Sequence, residues 1–117
     1  MKKLFIGLTI VLSYTVFAQG VAPDFKIQVV DNQIDIGYGL ALGDVDGDKR
    51  IDILLADQKE IVWYRNDGTK DTNSWKRHVM ASNLTPKDNV CIAARDIDGD
   101  GKVEVAVGAM WNPAETK

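Results

Sequence analysis

Cysteine and histidine are almost absent from this chain, since Cys91 and His78 are the only residues of their types among 117. A single cysteine excludes an intrachain disulfide, so a small domain of this kind needs another source of stability. One cysteine and one histidine also exclude a zinc cluster, which takes about four such ligands. We expect Cys91 to face the core as a small strand residue and His78 to be structural.

Catalytic and nucleic-acid-binding patterns are missing as well. The sequence shows no Ser-His-Asp set and no glycine loop that would cradle a phosphate, so no catalytic residue is predicted. The 14 basic residues are outnumbered by 17 acidic ones, which gives a formal net charge of −3. This balance argues against nucleic acid as a partner, because nucleic acid requires a basic surface.

The one long apolar run lies at the N-terminus. Lys2 and Lys3 precede a stretch at 4–16 that is almost entirely apolar, and Val16-Phe17-Ala18 stands before Gln19. The run is too short to span a bilayer and no cysteine follows it, so we interpret residues 1–18 as a signal peptide. Cleavage would change the net charge of the chain from −3 to −5. The signal peptide predicts a secreted, periplasmic or cell-surface protein. A buried N-terminal element is the alternative.

Acidic residues are abundant, and many of them stand in a pattern that occurs twice. GDVDGDKRIDILLAD at 43–57 is matched by RDIDGDGKVEVAVGA at 95–109, with acids at loop positions 1, 3, 5 and 9. Four carboxylates so close together repel one another unless a cation lies among them, and oxygen-only ligands suit Ca²⁺. The predicted ligands are Asp44, Asp46, Asp48, Asp52 and the carbonyl of Arg50 in the first loop, and Asp96, Asp98, Asp100, Glu104 and the carbonyl of Lys102 in the second.

These loops differ from an EF-hand, which has a glutamate ligand at position 12 and glycine at position 6. Position 12 is Leu55 or Val107, and position 6 is Lys49 in the first loop and Gly101 in the second. A dockerin-type loop also needs a ligand at position 12 and a following helix. The short, β-branched flanks instead predict a strand–turn–strand hairpin. Ordinary Asp-Gly turns with solvated acids are the alternative to a metal site. With calcium, Gly101 favours the second loop as the tighter site.

A longer repeat surrounds the loops. Residues 38–56 align without a gap on residues 90–108, and residues 25–30 resemble residues 75–80 in pattern. The unit is therefore about 50 residues long, a size typical of propellers and other repeat arrays. The predicted strands are 25–30, 38–45, 51–56 and 60–65 in the first unit, and 75–80, 90–97 and 103–110 in the second.

Four antiparallel strands per unit predict an all-β fold made of β-propeller blades. The first blade is assigned to residues 19–68, and the second, at 69–117, lacks its fourth strand. Propellers close with about four to eight blades, so we expect the remaining blades of a longer chain as partners. A small domain that dimerises through its open edges is the alternative.

The doubled loop also carries a family resemblance. GDVDGDKRIDILLAD, then VWYRNDG and RDIDGDGKVEVAVGA, resemble the FG-GAP/VCBS repeats of calcium-binding β-propellers, related to those of integrin α-subunits, over residues 25–117. The resemblance implies a seven- or eight-bladed propeller with calcium in the hairpin loops, held by the acids named above. Lys49 and Glu104 depart from the family's usual glycine and aspartate. WYRNDG and residues 75–79 are also similar to propellers of aldos-2-ulose dehydratase/isomerase-like proteins, which implies metal and catalytic groups in later blades.

The leading interpretation is a secreted, calcium-stabilised propeller module that binds or scaffolds a carbohydrate or protein ligand, with no membrane span. One alternative is the N-terminal part of a carbohydrate-active lyase, dehydratase or isomerase whose active site lies beyond residue 117. Another is a self-contained small calcium-binding domain. The aromatic residues Trp63, Tyr64, Trp75 and Trp111 either form a sugar-stacking surface or belong to the core.

We predict that the exported protein begins at Gln19. The basic start, the apolar run and the small residues at 16–18 together form a signal peptide, which a signal peptidase removes. Intact-mass measurement of the exported protein checks this. A secreted protein that retains Met1 would contradict it.

Overall fold

A computed structural model of the chain describes residues 22–70 and 75–115, so the predicted signal peptide lies outside the described residues. The chain forms strands and one short 3₁₀ turn there, and nothing helical in this part is long or apolar enough to cross a membrane. The elements are β1 (Gly39–Gly43), β2 (Asp52–Ala56), β3 (Glu60–Arg65), β4 (Lys76–Ser82), β5 (Cys91–Arg95), β6 (Glu104–Gly108) and the 3₁₀ turn Pro113–Glu115.

The strands form two antiparallel sheets, which confirms the all-β prediction. β1 to β4 make a four-stranded sheet in sequence order, as expected of one propeller blade, and β5 and β6 make a two-stranded sheet. In the first hairpin Gly43 pairs with Asp52, and in the second Arg95 pairs with Glu104. These pairs lie 52 positions apart (43 to 95, 52 to 104), so the two hairpins share one register. The gap-free alignment of the repeats therefore holds in three dimensions.

The fourth strand of the larger sheet comes from a different segment than predicted. Residues 25–30 form no strand, and Phe25 and Ile27 are exposed. Instead β4 pairs with β3, with Arg65 opposite Lys76. An apolar alternation predicts a strand only where it pairs with a sheet edge, and residues 25–30 do not pair with the edge strand β1. The sheet thus crosses the predicted boundary between residues 68 and 69, while the repeat boundaries themselves stay a prediction.

The core is built around β2 and β3. Leu54 and Val62 are fully buried, and Leu55 and Tyr64 nearly so. Leu54 and Leu55 are neighbours in sequence and point to opposite faces of the strand, so β2 is covered on both sides. Trp75 packs against the cluster that contains Leu55, Val62 and Tyr64. The pair β2 and β3 is therefore the most buried part of the described chain.

The two sheets approach each other closely because β1 carries glycine where it meets the second hairpin. A Cβ on Gly39 would lie 3.2 Å from the backbone nitrogen of Ile92, and a Cβ on Gly43 would lie 2.5 Å from Cγ1 of Val103. The N–H of Val103 donates to the carbonyl oxygen of Asp44 at 2.9 Å. This bond joins the end of the second loop to the start of the first, so the two loops lie side by side.

The prediction that Cys91 faces the core is wrong, because Cys91 is exposed. It lies opposite Gly108 in the two-stranded sheet, and its sulfur occupies the space that a side chain on Gly108 would need. Burial of a strand residue requires a second layer over that face of the sheet. Among the described residues, no layer covers Cys91.

A buried carboxylate anchors the segment that leads into β1. Asp57, which follows β2, accepts hydrogen bonds from the backbone N–H groups of Asp35, Ile36 and Gly37 at 2.9, 2.8 and 3.1 Å. It also accepts one from Gln58 at 2.8 Å. Burial alone would raise the pKa of Asp57, but these four donors favour the charged form and lower its pKa to about 2.

We predict that Asp57→Asn lowers the free energy of unfolding by about 1–3 kcal/mol at pH 7, since buried donors lose a charged acceptor. The folded pKa of about 2 lies below the ordinary 3.8. The stabilisation is therefore present above about pH 4 and is lost as the pH falls through the folded value. Urea unfolding at pH 7 and at about pH 2 measures both effects, with the exposed Asp24→Asn as the control. An equal loss at both pH values would contradict the role of the charge.

Candidate metal centre

The acids of the first loop, which connects β1 to β2, are held by backbone N–H groups of the same loop. Asp44 Oδ1 accepts from Gly47 at 2.7 Å, and its Oδ2 accepts from Lys49 at 2.7 Å. Asp46 Oδ1 accepts from Asp48 at 3.2 Å, and Asp48 Oδ1 accepts from Arg50 at 2.9 Å. The spacing of the acids therefore folds the loop, because short carboxylates bond to backbone groups a few positions ahead.

The second loop, between β5 and β6, repeats this pattern position by position. Asp96 accepts from Gly99 at 2.6 Å and from Gly101 at 2.9 Å. Asp98 Oδ1 accepts from Asp100 at 3.1 Å, and Asp100 Oδ1 accepts from Lys102 at 2.8 Å. The two loops thus share one backbone conformation.

The acid at position 9 supports the loop from the start of the following strand. Asp52 is fully buried, and its oxygens accept from the N–H of Val45 at 3.0 Å and of Asn66 at 2.8 Å. Glu104 Oε2 accepts from Ile97, the equivalent of Val45, at 2.7 Å. The longer glutamate therefore reaches the same donor and preserves the loop.

Three carboxylates converge in each loop. One oxygen each from Asp44, Asp46 and Asp48 lie within 4.8 Å of one another, and the same holds for Asp96, Asp98 and Glu104. Ca²⁺ binds oxygens at about 2.3–2.6 Å, so two ligands of one ion lie at most about 5 Å apart. The spacing and the oxygen-only donor set therefore fit a calcium ion in both loops.

Four predicted ligands fall outside these groups. Asp52 is not in the first group, and Asp100 is not in the second, where Glu104 takes part instead. Asp52 already accepts two backbone hydrogen bonds, which explains its burial without an ion. The ligand roles of Asp52, of Asp100 and of the carbonyls of Arg50 and Lys102 stay predictions.

Position 6 of the first loop is under backbone strain. Lys49 has a φ of 67°, and the equivalent Gly101 has a φ of 92°. Only glycine adopts this left-handed conformation without a steric cost, which is about 1–2 kcal/mol for other residues. The prediction that lysine strains this turn is consistent with that angle.

Two guanidinium groups contact the first loop, and neither was predicted from the sequence. Arg65 Nε donates to Asp46 Oδ2 at 2.5 Å, and its Nη2 donates to Asp48 Oδ2 at 3.1 Å. Arg50 Nη2 donates to Asp48 Oδ2 at 2.5 Å. Burial would raise the pKa of Asp46, but the hydrogen bond from Arg65 and the loop's own N–H lower it overall. The first loop thus has positive charge among its acids.

Strand register is the signal that locates Arg65. Ile53 pairs with Tyr64, so the next pair along β2 and β3 sets Arg65 level with Asp52 at the end of the loop. In the second loop, no basic side chain within residues 22–70 and 75–115 forms an ion pair with Asp96, Asp98, Asp100 or Glu104. The two loops therefore share a backbone and differ in their charge environment.

The aromatic residues do not form one stacking surface. Trp63 stacks on His78 with ring centroids 4.6 Å apart, whereas Tyr64 is buried in the core on the opposite face of β3. Trp75 packs on that core, and Trp111 contacts Tyr38 edge-on at 5.6 Å. His78 lies in neither acidic group, and its structural role stays a prediction.

Comparison with known proteins supports the doubled loop as a family feature. A model of the FG-GAP-like repeat family matches residues 44–107, which is more than half of the chain and includes both loops. No curated protein and no solved structure matches the chain. The match confirms the resemblance to FG-GAP repeats, while the similarity to aldos-2-ulose dehydratase/isomerase-like propellers stays a prediction.

We predict that Lys49→Gly raises the free energy of unfolding by about 0.5–1 kcal/mol, because relief of strain exceeds the entropy that glycine adds to the unfolded chain. The reverse change, Gly101→Lys, should lower it by about 1 kcal/mol. A Cβ on Gly101 would meet no atom within 4 Å, so that cost comes from the backbone alone. Urea unfolding in chelator measures both variants. Destabilisation by Lys49→Gly would show that the lysine side chain stabilises the loop.

Proposed function

The chain belongs to the FG-GAP-like repeat family, and we propose on this premise that it is a secreted repeat module whose two acidic loops bind Ca²⁺. We further propose that the module binds or scaffolds a carbohydrate or protein ligand. The observation that carries the calcium assignment is the convergence of three carboxylates in each of two loops of equal conformation, at positions 1, 3 and 5 in the first loop and 1, 3 and 9 in the second. A single acidic turn would be explained by turn chemistry alone, but convergence in both copies favours a shared ion-binding role.

The donor set supports calcium over other ions. The first loop offers Asp44, Asp46 and Asp48, and the second offers Asp96, Asp98 and Glu104. A bound Ca²⁺ would supply the charge that offsets the repulsion among these carboxylates. Transition metals favour imidazole or thiolate ligands, and neither His78 nor Cys91 is in a group.

Secretion is supported by the signal peptide predicted at residues 1–18, and calcium would substitute for the disulfides that a single cysteine cannot form within the chain. Small extracellular domains without disulfides commonly need another stabilising element, and a structural metal is one. Extracellular calcium modules bind with dissociation constants of roughly 10⁻⁴–10⁻³ M. Such weak sites suit a compartment in which calcium is plentiful.

Neighbouring blades are the first partners that we propose. Leu40 and Leu42 on β1 are 69% and 65% exposed, and Ile97 in the second loop is 76% exposed. Large apolar side chains on a sheet favour a covering layer, and a blade buries its faces only against adjacent repeats. The exposed face of β1 therefore supports an array of blades as the setting in which ligand binding takes place.

We predict two calcium sites in the full chain. Asp46→Ala should remove one site and Asp98→Ala the other, because each deletes a central carboxylate of its loop. Calorimetric titration with calcium chloride measures the number of sites, and Asp24→Ala, outside both loops, is the control. The same measurement in the double variant should detect no binding.

Thermal unfolding in calcium and in chelator gives a second readout of the same prediction. A ligand at 100 times its dissociation constant adds about 2.7 kcal/mol of stability for each site. Equal melting temperatures in both solutions, together with unchanged titrations of both single variants, would show that the acids serve only as turn residues.

A further inference from the structure

One guanidinium group bridges two of the acids that the first loop offers to an ion. Arg65 donates to Asp46 Oδ2 and Asp48 Oδ2, and Arg50 adds a second contact to the same oxygen of Asp48. The side chains of Asp46 and Asp48 are 26% and 17% exposed, so these ion pairs are only partly screened by solvent.

We propose that Arg65, assisted by Arg50, acts as an internal counter-cation of the first loop, so that it competes with Ca²⁺ for the acids there. This inference rests on the proposed calcium role of the loops. In the absence of the ion, the arginines stabilise the first loop, and an incoming Ca²⁺ has to compete with them.

The partners of individual carboxylate oxygens support this competition between arginine and Ca²⁺. In the first loop the backbone uses Oδ1 of Asp46 and of Asp48, and the guanidinium groups contact the remaining Oδ2 atoms. In the second loop the backbone again uses Oδ1 of Asp98 and of Asp100. There the Oδ2 atoms form no ion pair with the described residues. An ion that enters the first loop must therefore displace or tolerate a positive group.

Charge and geometry act in the same direction. Two guanidinium charges already neutralise part of the negative field that attracts Ca²⁺, and like charges at short range repel. The planar fork of arginine suits two acceptors at once, whereas lysine offers a point charge on a flexible stem. Arg65 lies on β3, which pairs with both β2 and β4, so the sheet fixes the position of the Arg65 backbone.

The binding experiment uses Asp98→Ala as the background, in which only the first loop is available to calcium. Adding Arg65→Gln should tighten calcium binding about tenfold or more, the size expected when a charge-assisted competitor is removed. Lys76→Gln is the matched control, because Lys76 is exposed, lies opposite Arg65 in β4 and forms no ion pair with the loop acids. The control removes the same charge from the same region and should change the dissociation constant less than about threefold.

The second arm needs no metal. In chelator, Arg65→Gln should lower the melting temperature of the full chain more than Lys76→Gln does, because Asp46 and Asp48 lose their counter-charge. Arg65→Lys should fall between Arg65→Gln and the unchanged chain in both arms, since it keeps the charge but not the fork.

The outcomes separate this inference from the proposed function. Equal behaviour of Arg65→Gln and Lys76→Gln in both arms overturns the inference, while calcium binding by the unchanged chain still supports the proposed function. Absence of calcium binding in every protein overturns both the proposed function and the competition between Arg65 and calcium. In that case a loss of stability in chelator that is larger for Arg65→Gln than for Lys76→Gln supports only the role of Arg65 as a counter-cation of the loop acids.

Discussion

Repulsion among carboxylates within one short turn is the constraint on which the rest of this structure depends. Each loop resolves it first through its own backbone, since the acid at position 1 accepts two N–H groups and the acids at positions 3 and 5 accept one each. Hydrogen bonds to a charged acceptor are stronger than neutral ones, so the charges that strain the turn also shape it. The carboxylate oxygens that the backbone leaves unpaired can bind a cation, either a metal ion or a guanidinium group.

The loops and the sheets depend on each other. Asp52 and Glu104 belong both to a loop and to the first position of a strand, so the loop conformation sets where the hairpin pairing begins. The bond from Val103 to the carbonyl of Asp44 then joins one loop to the next. Glycine on β1 lets the second hairpin come close enough for that bond to form. A change in one loop is therefore transmitted to the contact between the sheets.

Features that depend on residues close together in sequence could be predicted, and features that depend on distant residues could not. The loops and hairpins could be predicted, because the acids, the glycines and the β-branched flanks act within about a dozen residues. The missing strand at residues 25–30 and the pairing of β4 with β3 could not, because both depend on tertiary pairing and not on the local alternation. Arg65 was missed for a related reason, since its contact with Asp46 depends on strand register. The exposure of Cys91 depends on what covers a sheet, which local pattern does not specify.

The pairing of β4 with β3 has a consequence for how such repeats are inherited. The predicted unit boundary and the sheet are out of phase, since the strand that follows residue 68 completes the sheet that precedes it. A gene segment cut at that predicted boundary would carry one acidic hairpin but leave its outermost strand behind, so duplication or shuffling at that point would expose an unpaired edge. Recombination that preserves whole sheets must instead cut between β4 and β5, at residues 83–90. A unit that keeps the four-stranded sheet whole is thus staggered relative to the unit that the sequence pattern predicts.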